Sequence, residues 1–238
     1  MKSDTEIAQQ NAKEYWQKSE TTFLVRNEYY ERVEKIINSD VLDVVEDCKS
    51  MLDVGCGNGR FTLLFANVID QIWACDLSKS LISSAKKSSD KQNISNVQFR
   101  VADIISQPEF NEKFEVLSCM GVLSTIVADA DVDKVLDKLV SLIKPGGYLI
   151  LRDTLSTKKT QSFLVKIPPA IYRSRRRYGS KLSKRGLVPV YCARVWFWEK
   201  NNRENFITVM RKPLSPFSNI KYRIWPQSIF NLAKKHHY

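Results

Sequence analysis

A strand that runs straight into three closely spaced glycines constrains this chain more than any other feature. Met51-Leu-Asp-Val-Gly-Cys-Gly-Asn-Gly-Arg60 reads as a short apolar strand followed by a tight turn. Arg60-Phe-Thr-Leu-Leu-Phe-Ala66 reads as the helix that the turn opens. Gly55, Gly57 and Gly59 let the backbone turn sharply and pass close to a bulky ligand. A helix N-terminus just beyond such a turn offers unpaired N–H groups to a polar or acidic ligand. This is the layout of the first strand of an open, doubly wound α/β sheet that binds a nucleotide-type ligand at the strand's carboxyl end. The spacing is G-x-G-x-G, which differs from the G-x-G-x-x-G of dinucleotide sites.

Further strand and helix signals follow in order. Gln71-Ile-Trp-Ala-Cys-Asp76 is a second apolar run that ends in an acid. Asp76 stands close to the roughly 20-residue offset at which a carboxylate meets a ribose diol. Leu77 follows it, and Ser78 suits the cap of a helix with Leu81, Ile82 and Ala85 on one face. Val97-Gln-Phe-Arg-Val101 alternates and leads to Ala102-Asp103-Ile104. Phe114-Glu-Val-Leu-Ser-Cys-Met120 ends in Gly121-Val122-Leu123, and a helical period runs from Asp131 to Ile143. Lys144-Pro-Gly-Gly147 closes that helix as a turn, and Tyr148-Leu-Ile-Leu151 is the fifth strand.

Asp53 with the glycine turn gives D-x-G-C-G-x-G, which resembles motif I of the class I S-adenosylmethionine-dependent methyltransferases. The ordered elements from Met51 to Asp153, including the KPGG turn, resemble the same family. The resemblance implies a seven-stranded, mostly parallel sheet with an antiparallel last strand pair, an N-terminal helical cap and a lid inserted after the fifth strand. It implies S-adenosylmethionine as cofactor and S-adenosylhomocysteine as product. The cofactor residues it implies are Asp53, Gly55, Cys56, Gly57, Gly59, Asp76, Leu77, Asp103, Ile104 and Met120, with Trp16 and Arg26 from the cap. Asp103 would meet the adenine amino group and Arg26 the methionine carboxylate. Each acid alone has a plainer reading as a strand-end or turn-bridging carboxylate, and Cys56 reads as a small turn residue.

The chain's 238 residues suffice for one α/β domain, expected as a cap over 1–46, a cofactor-binding core over 47–155 and a lid, last helix and hairpin over 156–238. No uncharged apolar run reaches the roughly 18 residues of a membrane span, and Met-Lys-Ser-Asp-Thr-Glu lacks a signal-peptide core. Five scattered cysteines without a C-x-x-C pair suggest neither disulfides nor a metal site, so a reducing, cytoplasmic setting is expected. Charge is uneven. Residues 156–238 hold 19 Lys/Arg against 2 Asp/Glu, while residues 1–155 hold 18 against 24. That asymmetry points to an anionic partner near the C-terminal part.

In that part, Ser174 suits the cap of a helix running to about Arg185, and Gly186 suits its end. Leu187–Trp198 and Asn205–Met210 are β-prone runs joined at Asn201-Asn202, which suggests a hairpin. Arg173, Arg175, Arg176, Arg177, Lys181, Lys184 and Arg185 form either the wet face of a helix or a phosphate- or carboxylate-binding rim. Ser156–Ile171, with its apolar stretch and two prolines, is expected to cover the acceptor, and its basic flanks also suit contact with a membrane surface. The N-terminal aromatics Tyr15, Trp16, Phe23, Tyr29 and Tyr30 either pack across the sheet edge or wall the acceptor pocket.

Methyl transfer needs alignment, exclusion of water and, for an oxygen acceptor, removal of a proton. No clear base is visible. Many small-molecule members carry a histidine after the fourth strand, where this chain has Ser124-Thr125, and its two histidines are His236 and His237. Tyr15, Asp153, Tyr172 and Glu199 are the weak candidates. Ser118-Cys-Met-Gly-Val-Leu123 lacks the Asn/Asp-Pro-Pro-Tyr/Phe motif of base-amino enzymes, and Cys119 lacks the preceding proline of cytosine-C5 enzymes, so DNA is not the expected substrate. The expectation is methyl transfer to a small anionic metabolite or sugar. The alternatives are a lipid-linked acceptor, RNA, or a cofactor-binding protein without turnover.

Overall fold

The computed structural model describes residues 2–20, 27–104, 110, 112–198 and 201–214. Arg26, Phe23, Glu199 and both histidines fall outside them. Among the described residues the strands are β1 (Ser50–Val54), β2 (Gln71–Asp76), β3 (Val97–Val101), β4 (Phe114–Met120), β5 (Ile143–Ser156), β6 (Gln161–Phe163), β7 (Ala170–Tyr172), β8 (Val188–Trp198) and β9 (Arg203–Arg211). The helices are α1 (Asp4–Lys18), α2 (Asn27–Ile36), α3 (Leu42–Val45), α4 (Thr62–Phe65), α5 (Lys79–Lys91), α6 (Asp129–Leu142) and α7 (Arg175–Ser183), with a π-helical turn over Ile37–Val41 before α3.

Seven strands form one sheet in the order β3-β2-β1-β4-β5-β9-β8. The first five are parallel, and β9 and β8 close the sheet as an antiparallel pair. This is the expected α/β Rossmann-like architecture with a helical N-terminus. The order reverses between β1 and β4, and open α/β sheets bind ligands in the crevice at such a switch point.

Period-2 alternation sorts each central strand between two cores. Leu52 and Val54 of β1 join the core beneath α6 and α7, with Leu117, Leu136 and Leu182. Met51 joins the opposite core with Val33, Phe65, Ile150 and Ile207. Each such fully buried side chain contributes about 1.5–3 kcal/mol.

Local chemistry sets the helix starts. Ser78 Oγ accepts the Leu81 N–H at 3.1 Å, and Ser174 Oγ accepts the Arg177 N–H at 3.3 Å, as their positions predict. α6 begins at Asp129, two residues before the expected start, and its N-cap Ala128 has no capping side chain. Gln9 of α1 steadies the approach to the helix instead, its Oε1 accepting the Val127 N–H at 2.9 Å.

The KPGG segment departs from expectation. It lies within β5 as a bulge: Ile143 pairs with Phe114 before the register shifts and Tyr148 pairs with Val116. A Cβ on Gly147 would stand 2.6 Å from the Glu115 carbonyl oxygen, so the close strand approach there requires glycine. The lid is the β6–β7 hairpin, and its ends are joined, with the Ser156 N–H donating to the Arg173 carbonyl at 3.0 Å.

Candidate functional site

A cavity of about 560 Å³ opens at the carboxyl ends of β1, β2, β4 and β5. The glycine turn forms one wall. Gly55 has φ +74°, and a Cβ there would stand 2.2 Å from Val122 Cγ2, so both the backbone and the space exclude a larger residue. The turn's amides are spent within the protein. Gly55 and Cys56 N–H both donate to the Cys75 carbonyl, at 2.8 and 3.0 Å, and Gly57 N–H donates to Asp76 Oδ2 at 2.9 Å. α4 starts only at Thr62 and has four residues. The expectation of a helix N-terminus aimed at the ligand is therefore corrected: the turn gives close approach, its first two amides are spent on Cys75, and the Gly57 amide orders Asp76.

Asp76 accepts the Ser78 N–H on its other oxygen, also at 2.9 Å. Each oxygen keeps a lone pair for a further donor. Burial is the main influence on its carboxyl and raises its pKa above the ordinary value. Leu77, Asp103, Ile104 and Met120 also line the cavity, as do Gly55, Cys56, Gly57 and Trp16. Asp103 forms an ion pair with Lys13 of α1 at 2.7 Å. With Gln9 on the start of α6 and the Ser19 carbonyl accepting from Ser78 Oγ at 2.6 Å, that pair ties the N-terminal segment over the cavity by polar contacts.

Other expected residues lie elsewhere. Asp53 is 2% exposed and is not among the lining residues. It faces α4 on the strand's other register, where Thr62 Oγ1 at 2.5 Å and Ser118 Oγ donate to it. Gly59 packs against Ala85 and Phe99 below the turn. Tyr15 sits edge-on to Trp16, outside the lining. Asp153 points to the opposite side of the sheet from its neighbour Arg152, is 3% exposed, and accepts from the Ser124 N–H and the Tyr178 hydroxyl. Burial pushes its carboxyl up to about 6. Ser124 and Thr125 line the cavity, but the Thr125 hydroxyl is spent on the Val122 carbonyl at 2.7 Å. Of the candidate bases within the described residues, Tyr172 is the one that lines the cavity.

Much of the basic cluster is engaged by acids of the fold. Arg173, 2% exposed, pairs with Asp129 at 2.8 Å and donates to the Leu123 and Ile126 carbonyls, each at 2.8 Å. Arg177 also pairs with Asp129, Lys181 pairs with Asp133 at 2.6 Å, and Arg185 pairs with Asp133 at 3.0 Å and Asp137 at 2.9 Å. Arg175 pairs with Glu204. Arg173, Arg175, Arg177, Lys181 and Arg185 are thus neutralised by acids of α6 and β9, and Arg176, Arg177 and Lys184 are the exposed members.

The strand residues Arg152, Thr154 and Asn205 also line the cavity, and sequence reasoning did not single them out as binding residues. Arg152 donates to the Tyr29 hydroxyl and, at 3.3 Å, to the Met120 carbonyl. Its guanidinium lies 5.7 Å from the Tyr29 ring centroid and 5.5 Å from that of Phe61. Asn205 Nδ2 donates to Thr154 Oγ1 at 3.1 Å. Trp16 Nε1, Arg152 Nε and Asn205 Oδ1 are buried without hydrogen-bond partners. The sequence signal was a charged residue interrupting an apolar strand after Leu149-Ile-Leu.

Among the described residues, no group of His, Cys, Asp and Glu has the arrangement to hold a metal ion, and no helix is long and apolar enough to cross a membrane.

A family model described as a methyltransferase domain matches residues 45–194. The ubiquinone biosynthesis O-methyltransferase of Coxiella burnetii is 32% identical over 101 residues, covering 42% of this chain and 42% of that protein. The phosphoethanolamine N-methyltransferase 1 of Zea mays is 31% identical over 133 residues, covering 55% of this chain and 26% of that one. The matches thus span less than half the length of these curated relatives. The crystal structure of the N-methyltransferase NodS from Bradyrhizobium japonicum WM9 with S-adenosylhomocysteine superposes with a TM-score of 0.65 at 15% identity, covering 87% of this chain and 98% of that one. That likeness is one of fold.

Proposed function

The chain belongs to the family of methyltransferase domains, and on that premise we propose that it transfers a methyl group from S-adenosylmethionine to a small-molecule acceptor held in the 560 Å³ cavity. One observation carries the reading: the glycine turn, Asp76 and Asp103 line a single cavity at the switch point of the sheet.

The cavity's residues fit this cofactor. Gly55 leaves room where a Cβ would collide, Asp76 has spare lone pairs for a ribose diol, and Trp16 Nε1 is a buried donor in want of an acceptor. In this assignment Asp76 holds the ribose, Asp103 the adenine amino group, and Ile104 and Leu77 flank the ring. Asp53 supports the turn from beneath. The cofactor supplies an electrophilic sulfonium methyl. The protein's own part is to hold the acceptor in line, exclude water with α1 and the lid, and receive a proton where the acceptor is a hydroxyl.

The acceptor atom in this reading is an oxygen of an anionic metabolite, and Tyr172 is assigned to relay its proton, the hydroxyl taking that proton as it gives its own to solvent. An amine delivered neutral needs no base. Against RNA stands the pairing of Arg173, Arg177, Lys181 and Arg185 with acids of α6, which takes those four cations out of reach of a phosphate backbone.

Calorimetric titration with S-adenosylhomocysteine, with NAD as control, tests the reading. Micromolar binding of the first alone is expected. Binding of NAD, or of neither ligand, overturns it.

A further inference from the structure

Buried polar side-chain atoms almost always find partners, so a cluster of exceptions asks for a missing group. Among the described residues four such atoms lack one, and three of the four belong to residues lining the same cavity. Two of those three stand on β5 and β9, on the far side of β4 from the glycine turn. Asn205 lies on β9, three strands from β1 in the sheet order. At about 4.8 Å per strand, that is some 14 Å from the glycine turn. Arg152 lies on β5 between them, on the same face as Thr154, which pairs directly with Asn205.

The two orphans ask for different chemistry. The partners of Arg152 are a tyrosine hydroxyl and a backbone carbonyl, both neutral. Burial pushes the Tyr29 hydroxyl above its ordinary range, so that hydroxyl stays neutral, and the carboxylate whose charge acts on Arg152, Asp153, makes its hydrogen bonds with Ser124 and Tyr178 on the other side of the sheet. A half-buried guanidinium in such a place is satisfied by an oxyanion through charge-assisted hydrogen bonds. Asn205 is 1% exposed, its Nδ2 is spent on Thr154, and its Oδ1 accepts nothing. That oxygen is satisfied by a hydroxyl or N–H donor. The Tyr29 and Phe61 rings flank the Arg152 guanidinium, and Tyr30 and Tyr172 line the same cavity, which suits a flat apolar body.

Resting on the methyl-transfer reading above, we propose that Arg152 and Asn205 form the acceptor subsite, and that the acceptor is a flat acid that places its carboxylate on Arg152 and a hydroxyl on Asn205. The two residues set specificity: one selects the anion, the other the donor.

The test uses the full chain loaded with S-adenosylhomocysteine and titrated calorimetrically with 3-hydroxybenzoate, benzoate and phenol. The hydroxy acid should bind. Benzoate, which lacks the donor, should bind about three- to tenfold more weakly, and phenol, which lacks the anion, at least about tenfold more weakly. In Asn205→Leu the gap between the hydroxy acid and benzoate should close. In Arg152→Met the gap to phenol should close while affinity for S-adenosylhomocysteine stays within about twofold of wild type. The three ligands binding alike, or none binding, to wild-type protein that takes up S-adenosylhomocysteine overturns the subsite and leaves the methyl-transfer reading standing. Loss of S-adenosylhomocysteine affinity in Arg152→Met also overturns it, because Arg152 then belongs to the cofactor. Wild-type protein that does not take up S-adenosylhomocysteine overturns both. The comparison of three ligands on wild-type protein decides the matter without either variant.

Discussion

Replacing Asp153 with asparagine isolates what burial does to a carboxyl group next to this site. Asp153 accepts from the Ser124 N–H at 3.1 Å and the Tyr178 hydroxyl at 3.4 Å, and Ser124 lines the cavity. Burial raises its pKa from 3.8 to about 6, against the opposing pull of the Ser124 hydrogen bonds and of the Arg152 and Arg173 charges. In the unfolded chain the group titrates near its ordinary value. Between roughly pH 4 and pH 6 the folded protein therefore holds a proton that the unfolded chain has lost. The native state binds more protons in that window, so stability falls as pH rises through it. The contribution is fully present below the unfolded pKa and is lost above the folded one. At about 1.4 kcal/mol per pKa unit, the loss is about 3 kcal/mol. Asparagine keeps the shape, can still accept from Ser124, and cannot ionise. Relative to wild type, Asp153→Asn should gain about 3 kcal/mol between about pH 4 and about pH 8. Guanidinium titrations followed by tryptophan fluorescence give the stability gap at each pH, and comparing gaps cancels the pH-independent cost of the amide. Equal gaps at both pH values would refute the reasoning, because Asp153 would then titrate alike in the folded and unfolded chains.

Three other substitutions test separate parts of the structure. Asp76→Ala should weaken S-adenosylhomocysteine binding by about 1.5–3 kcal/mol, roughly ten- to over a hundredfold, in a protein that still unfolds cooperatively; unchanged affinity by calorimetry removes Asp76 from the site. Gly55→Ala should cost at least about 1–2 kcal/mol for its left-handed backbone alone, and Val122→Ala should restore only the steric remainder in a double-mutant cycle of thermal unfolding. Asp129→Ala leaves the buried Arg173 without its carboxylate and should destabilise by about 3–5 kcal/mol, whereas Asp131→Ala, whose carboxylate meets only the exposed Lys134, should cost less than about 1 kcal/mol; similar denaturation midpoints for the two would remove the hub role from Asp129.

What was legible in the sequence is what local chemistry dictates. The strand runs show because alternation and apolar content are local, and Ser78 and Ser174 show because a cap acts within three residues. The fate of the turn's amides was not legible: it depends on Cys75 and Asp76 arriving from β2. Arg152 and Asn205 are 53 positions apart and meet only through the antiparallel pairing of β5 with β9. The basic cluster misled because charge was summed along the chain. Asp129, Asp133 and Asp137 recur every four residues, and so do Arg173, Arg177, Lys181 and Arg185. Two matched ladders of opposite sign at helical spacing are a readable signal that two helices lie side by side.

The stitched ends of the lid make it a replaceable part. The chain leaves the sheet at Ser156 and returns at Ser174, and those two residues form a bridge. Beyond that stitch, the return is held by Arg173 on Asp129, by the Ser174 cap of α7 and by the Ser174 N–H donating to Thr160 Oγ1. The excursion is also tied outward, by the Thr157 N–H on the Asn202 carbonyl, Gln161 on the Asn201 carbonyl and Arg203, and the Ile171 N–H on the Ser124 carbonyl, and the entropy of closing it changes only slowly with its length. Those ties fall at residues 157, 160, 161 and 171, so a change of length confined to the tip between β6 and β7 alters which molecules are admitted while leaving them in place. The enclosure of the pocket and the stability of the fold are free to evolve separately.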